Sequence, residues 1–282
     1  MTEREDRMMR KFFSIMVVIL LSMTVLAGCG DNNDKEEIKP KAKPLVVAME
    51  MTSPPFETKD DKGTPIGVSV DFAKAFGDYI GREVIFENTS YDGLTSSLQD
   101  GSADMVISSM IITDETSQTV DFSKPYANVM LAVLVNKNLG ITTIDSLNQK
   151  GKKIAAITGS AGYLYAQNNL PKAEIIALAN ESECTAEVAQ GKADGFIYDQ
   201  LTIYNSWQAN LDTTSPVSIS LQEPQMWGVA VRQGNTELLA QVNEFIETYR
   251  VNGGFKKLTN KYLSKEKVDF DELGFKWIFD VD

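Results

Sequence analysis

The chain predicts an α/β protein made of two similar modules, and three features of its 282 residues carry that prediction. Short runs rich in Val, Ile and Ala alternate with amphipathic stretches of helical length. The alternation fills about ninety residues and then repeats over a similar length. A composition of 43% hydrophobic and 23% charged residues is enough to give each module its own core.

The first module opens with LVVAM, Leu45 to Met49, a short strand followed by a turn-rich loop. A helix follows in which Val68, Val70, Phe72, Ala73 and Phe76 form one apolar stripe ahead of Gly77 and Gly81. EVIFE, from Glu83 to Glu87, predicts a strand, YDGLTSSLQDG a helix, and ADMVIS, from Ala103 to Ser108, a third strand. That order is the mark of parallel βαβ units. VMLAVLVN, from Val129 to Asn136, reads as a strand leading out of the module. The second set begins with KKIAAIT, from Lys152 to Thr158, and continues through a helix over AGYLYAQNNL to the strand EIIALA, from Glu174 to Ala179. A helix from Glu181 to Gln190 and the strand GFIYD, Gly195 to Asp199, complete it. WGVAVRQ, from Trp227 to Gln233, is a returning strand, and TELLAQVNEFIETYRVNGG is an amphipathic helix that stops at Gly253-Gly254. Loops that follow parallel strands converge where two such modules face each other, so the expected ligand site is the cleft between them.

Arg4, Arg7, Arg10 and Lys11 precede the apolar run SIMVVILLSMTVL and then Ala27, Gly28 and Cys29, which is the layout of a secretory signal peptide over residues 1–28. The run is about thirteen residues, short of the ~20 that a membrane-spanning helix needs. Its end, Leu26-Ala27-Gly28-Cys29, resembles a bacterial lipobox, which implies a mature chain that begins at a lipidated, palmitate-bearing Cys29 and is anchored to the cell envelope. Residues 29–44 have almost no apolar side chain and predict a flexible tether. Cys184 is then the one thiol left, too few for an intramolecular disulfide, and its helical setting predicts a small buried hydrophobe.

Without residues 1–28 the chain carries 23 basic against 36 acidic side chains, a net charge of −13, which argues against a nucleic-acid partner. There is no histidine, so Ser-His-Asp and Cys-His nucleophilic sites and histidine-based metal sites are excluded. CxxC, P-loop and GxGxxG patterns are also absent. No metal and no cofactor is expected.

The succession SPPFE, SVDFAKAFGDYIG, YDGLTSSLQDGSADMVISSMIITDE, VDFSKPY, DSLNQKGKKIAAITGSAGY and QGKADGFIYD resembles the polar-amino-acid solute-binding proteins of bacterial ABC importers, family 3, from Leu45 to about Leu263. The resemblance implies a type II periplasmic-binding-protein fold, two α/β lobes joined by a two-strand hinge near Val129 to Asn136 and Leu221 to Val229. Lobe 1 would comprise residues 45–131 and 228–282, and lobe 2 residues 132–227. Such a protein is not an enzyme but a monomer that closes on a small solute and delivers it to a membrane permease and its ATPase.

The same resemblance implies ligand contacts at Glu50 after the first strand, at the aromatic Tyr91, at Ser108, Ser109 and Thr113, at Ser160 and Ala161 in a strand-to-helix turn, and at Asp199 for the ligand's amino group. Thr116 stands where the family places an arginine whose guanidinium grips the ligand carboxylate. Asp199 with Tyr91 then favours an amine or another cation. Lys124 either replaces the arginine or is a surface lysine. The bland alternative for Glu50 and Asp199 is a pair of solvated loop charges. Two competing functions are a cyclohexadienyl-dehydratase-like enzyme and a sensing module that touches a membrane receptor. The C-terminal KVDFDELGFKWIFDVD is rich in aromatics, and these are expected to fold back onto the body.

Overall fold

The computed structural model describes residues 42–217 and 223–281. The expected signal peptide, Cys29 and nearly all of the expected tether lie outside the described residues, as do residues 218–222 near the second hinge strand.

Two five-stranded sheets organise the chain, beside a small antiparallel pair of β2 (Thr58–Lys59) and β3 (Pro65–Ile66). In the first, β4 (Val84–Asn88), β1 (Leu45–Met49) and β5 (Met105–Val106) run parallel, with Val47 beside both Phe86 and Met105. β14 (Ala230–Arg232) and β6 (Val120–Phe122) complete it, β14 antiparallel to both of its neighbours. The two-residue period of β1 decides its packing. Leu45, Val47 and Met49 join the core that holds Phe72 and Phe76 of α1 (Val68–Ile80), while Ala48 joins Leu94 and Leu98 of α2 (Tyr91–Asp100) on the other face. Helix α1 runs straight through Gly77, where a Cβ would meet Val84 Cγ2 at 2.3 Å, so this glycine lets the helix lie close on β4.

In the second sheet β10 (Glu174–Leu178), β9 (Lys153–Ile157) and β11 (Gly195–Asp199) are parallel, and β8 (Leu131–Asn136) pairs antiparallel with β11 and with β12 (Thr214–Val217). Val133, Val135 and Ile197 pack with Ala166 of α3 (Ala161–Asn169). The opposite face, with Ala132, Leu134 and Phe196, packs on Cys184 and Val188 of α4 (Glu181–Ala189) and on Ile203 and Tyr204 of α5 (Gln200–Gln208).

The two strands expected as continuous runs are each broken. Val129 to Asn136 divides between β7 (Ala127–Val129) and β8, and Trp227 to Gln233 between β13 (Gln225–Trp227) and β14. β7 and β13 pair antiparallel, Asn128 opposite Met226, as a two-strand ribbon connecting the sheets. A chain passing from one sheet to another must change its pairing partner, and apolar content alone does not mark the residue at which it does so.

Helices α6 (Thr236–Val251), α7 (Gly254–Tyr262) and α8 (Ser264–Leu273) end the fold. The aromatic tail folds back as expected: Phe270, Phe275, Trp277, Ile278 and Phe279 are buried. Residues 264–281, assigned above to the first lobe, touch both modules. Tyr204 of α5 donates to Asp269 at 2.5 Å, and the amide of Asn128 in β7 donates to the Ile278 carbonyl at 2.7 Å.

Candidate functional site

The candidate residues collect at the carboxyl ends of parallel strands in both sheets, the position at which α/β proteins bind ligands. On the first sheet Glu50 follows β1 and Ser108 follows β5. The Glu50 amide donates to Ser108 Oγ at 2.9 Å, and Tyr91 N donates to Glu50 Oε1 at 3.3 Å. The Glu50 carboxylate therefore sits at the amino terminus of α2, where a helix leaves amides unpaired and favours negative charge. Tyr91, the first residue of that helix, is 44% exposed and presents an accessible ring. Its hydroxyl pKa is raised, chiefly by partial burial and then by the charges of Glu50 and Glu57.

Ser109 is the one residue other than glycine with a left-handed backbone among the described residues, at φ 50°. Its hydroxyl donates to Glu57 Oε1 at 2.8 Å, and Ser69 Oγ of α1 donates to Glu57 Oε2 at 2.5 Å. Glu57 is 1% exposed, and burial, the largest cause, pushes its pKa up to about 7 against the lowering effect of the two hydroxyls. Thr113 and Thr116 bond to each other: each amide donates to the other's Oγ1 at 3.1 Å, and the two hydroxyls lie 2.9 Å apart. Thr116, at the arginine position, is thus spent in closing its own turn. A hollow of about 450 Å³ beside the hinge ribbon is lined by Ile111, Ile112, Thr113, Pro125, Pro224, Gln225 and Met226, and takes only Thr113 from the candidate set.

On the second sheet Ser160 follows β9 and caps α3, its Oγ accepting from Tyr163 N at 3.2 Å. The amides of Ala161 and Gly162 that follow are among those a helix leaves without internal acceptors. A Cβ on Gly162 would lie 2.0 Å from the Ile197 carbonyl oxygen, so glycine is what brings this helix end down onto β11. Asp199 ends β11 and caps α5, Oδ1 accepting from the amides of Leu201 and Thr202 at 3.0 Å each. Burial still raises its pKa in spite of those bonds. Glu181 at the start of α4 is raised as well, by burial first and by Asp199 second, so two carboxyls share this strand edge.

Sequence reasoning missed Glu57 and Glu181. Glu57 lies in a turn-rich loop, where a lone glutamate reads as solvated, and Glu181 reads as an ordinary acid in a first helical turn. Lys124 does not replace the missing arginine: it pairs with Glu247 of α6, its side chain largely exposed. Cys184 is fully buried, with its thiol pushed up to about 12 by that burial. No ion pair among the described residues involves Glu50, Glu57, Glu181 or Asp199. No group of acidic or cysteine side chains among them is placed to hold a metal ion.

Two mixed sheets joined by an antiparallel ribbon, with candidate contacts at both strand edges, define a type II periplasmic binding protein. Residues 45–265 match the family model for bacterial extracellular solute-binding proteins, family 3, and the chain belongs to that family. It is 30% identical over 261 residues to a probable histidine-binding protein of Neisseria gonorrhoeae, covering 89% of this chain and 96% of that protein. Among solved structures, an ancestral cationic amino acid solute-binding protein is 33% identical with a TM-score of 0.68, covering 78% of this chain and 95% of that one. An ancestral arginine-binding protein bound to arginine is 31% identical with a TM-score of 0.60, covering 78% and 98%. The curated homologues are amino acid-binding proteins of ABC importers, while the solved neighbours also include an ancestral cyclohexadienyl dehydratase, 26% identical with a TM-score of 0.56.

Proposed function

We propose that this protein is the solute-binding component of an ABC importer that captures a positively charged amino acid or amine between its two lobes. The observation that carries the proposal is charge. Glu50 at one strand edge, and Asp199 and Glu181 at the other, are acids with no ion-pair partner among the described residues. An accessible tyrosine at position 91 adds a ring face that suits a cation. Without an arginine at 116, a ligand carboxylate would rest on the amides that open α3, which attract anions but hold them less tightly than a guanidinium fork.

Closure follows from the division of contacts. Glu50, Tyr91, Ser108, Ser109 and Thr113 belong to lobe 1 (residues 45–131 and 228–282), and Ser160, Ala161 and Asp199 to lobe 2 (residues 132–227). A solute that reaches both sets favours the closed form, whereas one with equal affinity for open and closed forms shifts nothing. The closed clamp would deliver its solute to a permease and its ATPase while the lipid on Cys29 keeps the monomer at the membrane.

A thermal-shift screen of the mature chain against the common amino acids, diamines, polyamines and quaternary ammonium compounds tests this. A ligand at ~100 times its Kd adds about 2.7 kcal/mol to stability and raises the melting temperature visibly. Shifts confined to cationic solutes are expected. A shift with acidic or neutral amino acids, and none with cations, would overturn the reading.

A further inference from the structure

We propose that Glu57, whose carboxyl is enclosed between Ser69 and Ser109 behind the candidate cleft wall, sets the preference of this cleft for a cationic amino acid. The proposal rests on the reading of the cleft given above and adds a residue outside the candidate contacts.

Glu57 is 1% exposed, yet its oxygens meet only hydroxyls, Ser69 at 2.5 Å and Ser109 at 2.8 Å. Hydroxyls stabilise a carboxylate but bring no counter-charge, and a buried charge without one is costly. The titratable groups that face it are Glu50 at the end of β1, Tyr91 of α2 and Tyr126 just ahead of β7. None is basic, α1 supplies only Ser69, and no ion pair to Glu57 forms among the described residues. Ser109 links this buried group to the candidate wall, since its hydroxyl holds Glu57 from a left-handed backbone at φ 50°.

A ligand cation beside Glu50 and Tyr91 would be the nearest positive charge available to Glu57. It would favour the ionised carboxylate and lower a pKa that burial holds at about 7. Linkage then requires the ionised protein to bind the cation more tightly, about tenfold for each unit by which binding lowers the pKa. A neutral ligand of the same shape gains nothing from this.

Titration calorimetry of the mature chain with arginine and with citrulline, its isostere with an uncharged side chain, from about pH 5.5 to about 8.5, reads the effect directly. The affinity for arginine should rise about tenfold across that range while the affinity for citrulline stays flat. Glu57→Gln should lose the rise with arginine and leave citrulline unchanged. Ser69→Ala, which removes a donor that lowers the pKa, should move the midpoint of the rise to higher pH, and it serves if the first variant does not fold. A wild-type profile in either variant overturns the role of Glu57 alone. Failure of the wild-type chain to bind arginine overturns the inference too, and the amine screen then decides separately whether the cleft takes another cation.

Discussion

Asp199 shows how one side chain can cap a helix and still offer an oxygen to a candidate site. One carboxylate oxygen closes the amino terminus of α5 by accepting from Leu201 and Thr202, which leaves the other to meet a ligand. Replacing it with alanine should cost about 1 kcal/mol through the lost cap, read as a shift of the urea midpoint. Asp199→Asn keeps an oxygen for the cap and removes the charge, so it should weaken a cationic ligand far more than a neutral one. Equal losses for the two ligands in calorimetry would remove Asp199 from the site. The pH dependence has a defined sign. Burial raises the pKa of Asp199, and burial with Asp199 raises that of Glu181, so both carboxyls regain protons at a higher pH than solvated ones. Cation affinity should therefore fall on acidification before ordinary carboxylates titrate. Asp199 was marked in the sequence only by its match to a family motif at the end of GFIYD, whereas nothing marked Glu57, because no periodic signal shows a loop carboxylate to be buried.

The helices that carry candidate contact residues depend on close backbone approach to their sheets. Helix α3 sets Ser160 and Ala161 at the strand edge because Gly162 lies on the Ile197 carbonyl, where a Cβ would sit at 2.0 Å. Gly162→Ala must move either the helix or β11, and a loss of about 3 kcal/mol is expected from chemical denaturation, with ligand affinity falling alongside. Unchanged stability would mean that the helix end moves freely, and the amides of Ala161 and Gly162 would then be poor candidates for holding an anion. Most strands and helices of the two modules were legible from their apolar period. Three features were not. Strand β5 shrinks to Met105–Val106 from the expected run of Ala103 to Ser108, because the chain turns away at Ser108 and Ser109 to engage Glu50 and Glu57. Helix α5 follows β11 without a loop, its cap being the last strand residue, so no turn signal separates the two. The crossings at Met130 and at Gly228-Val229 fall inside largely apolar runs, so no change in composition marks where the chain leaves a sheet for the ribbon.

The C-terminal segment makes hydrogen bonds to both modules. Helix α8 lies against α5 of the second module, where Tyr204 donates to Asp269 at 2.5 Å and Lys265 donates to Tyr204 Oη at 3.0 Å and to Gln208 at 2.6 Å. The tail then returns to the hinge ribbon. Asn128 Nδ2 donates to the carbonyls of Trp277 at 3.1 Å and Asp280 at 2.9 Å, and Arg250 of α6 donates to the Phe279 carbonyl at 2.6 Å. Motion of the second module about the ribbon must therefore stretch, slide or carry along a strap fixed at both ends. Tyr204→Phe tests the coupling with little change in volume. It removes a hydrogen bond to a carboxylate and should cost about 2 kcal/mol, the ordinary size for a bond to a charged group. The distribution of that loss is more informative than its size. If the strap couples the modules, native-state hydrogen exchange should accelerate in β7 and α6 of the first module as well as in α5, because local opening at Tyr204 frees the tail that covers them. Faster exchange confined to α5 and α8 would mean that the strap is anchored at the ribbon independently, and that α8 opens with the second module alone.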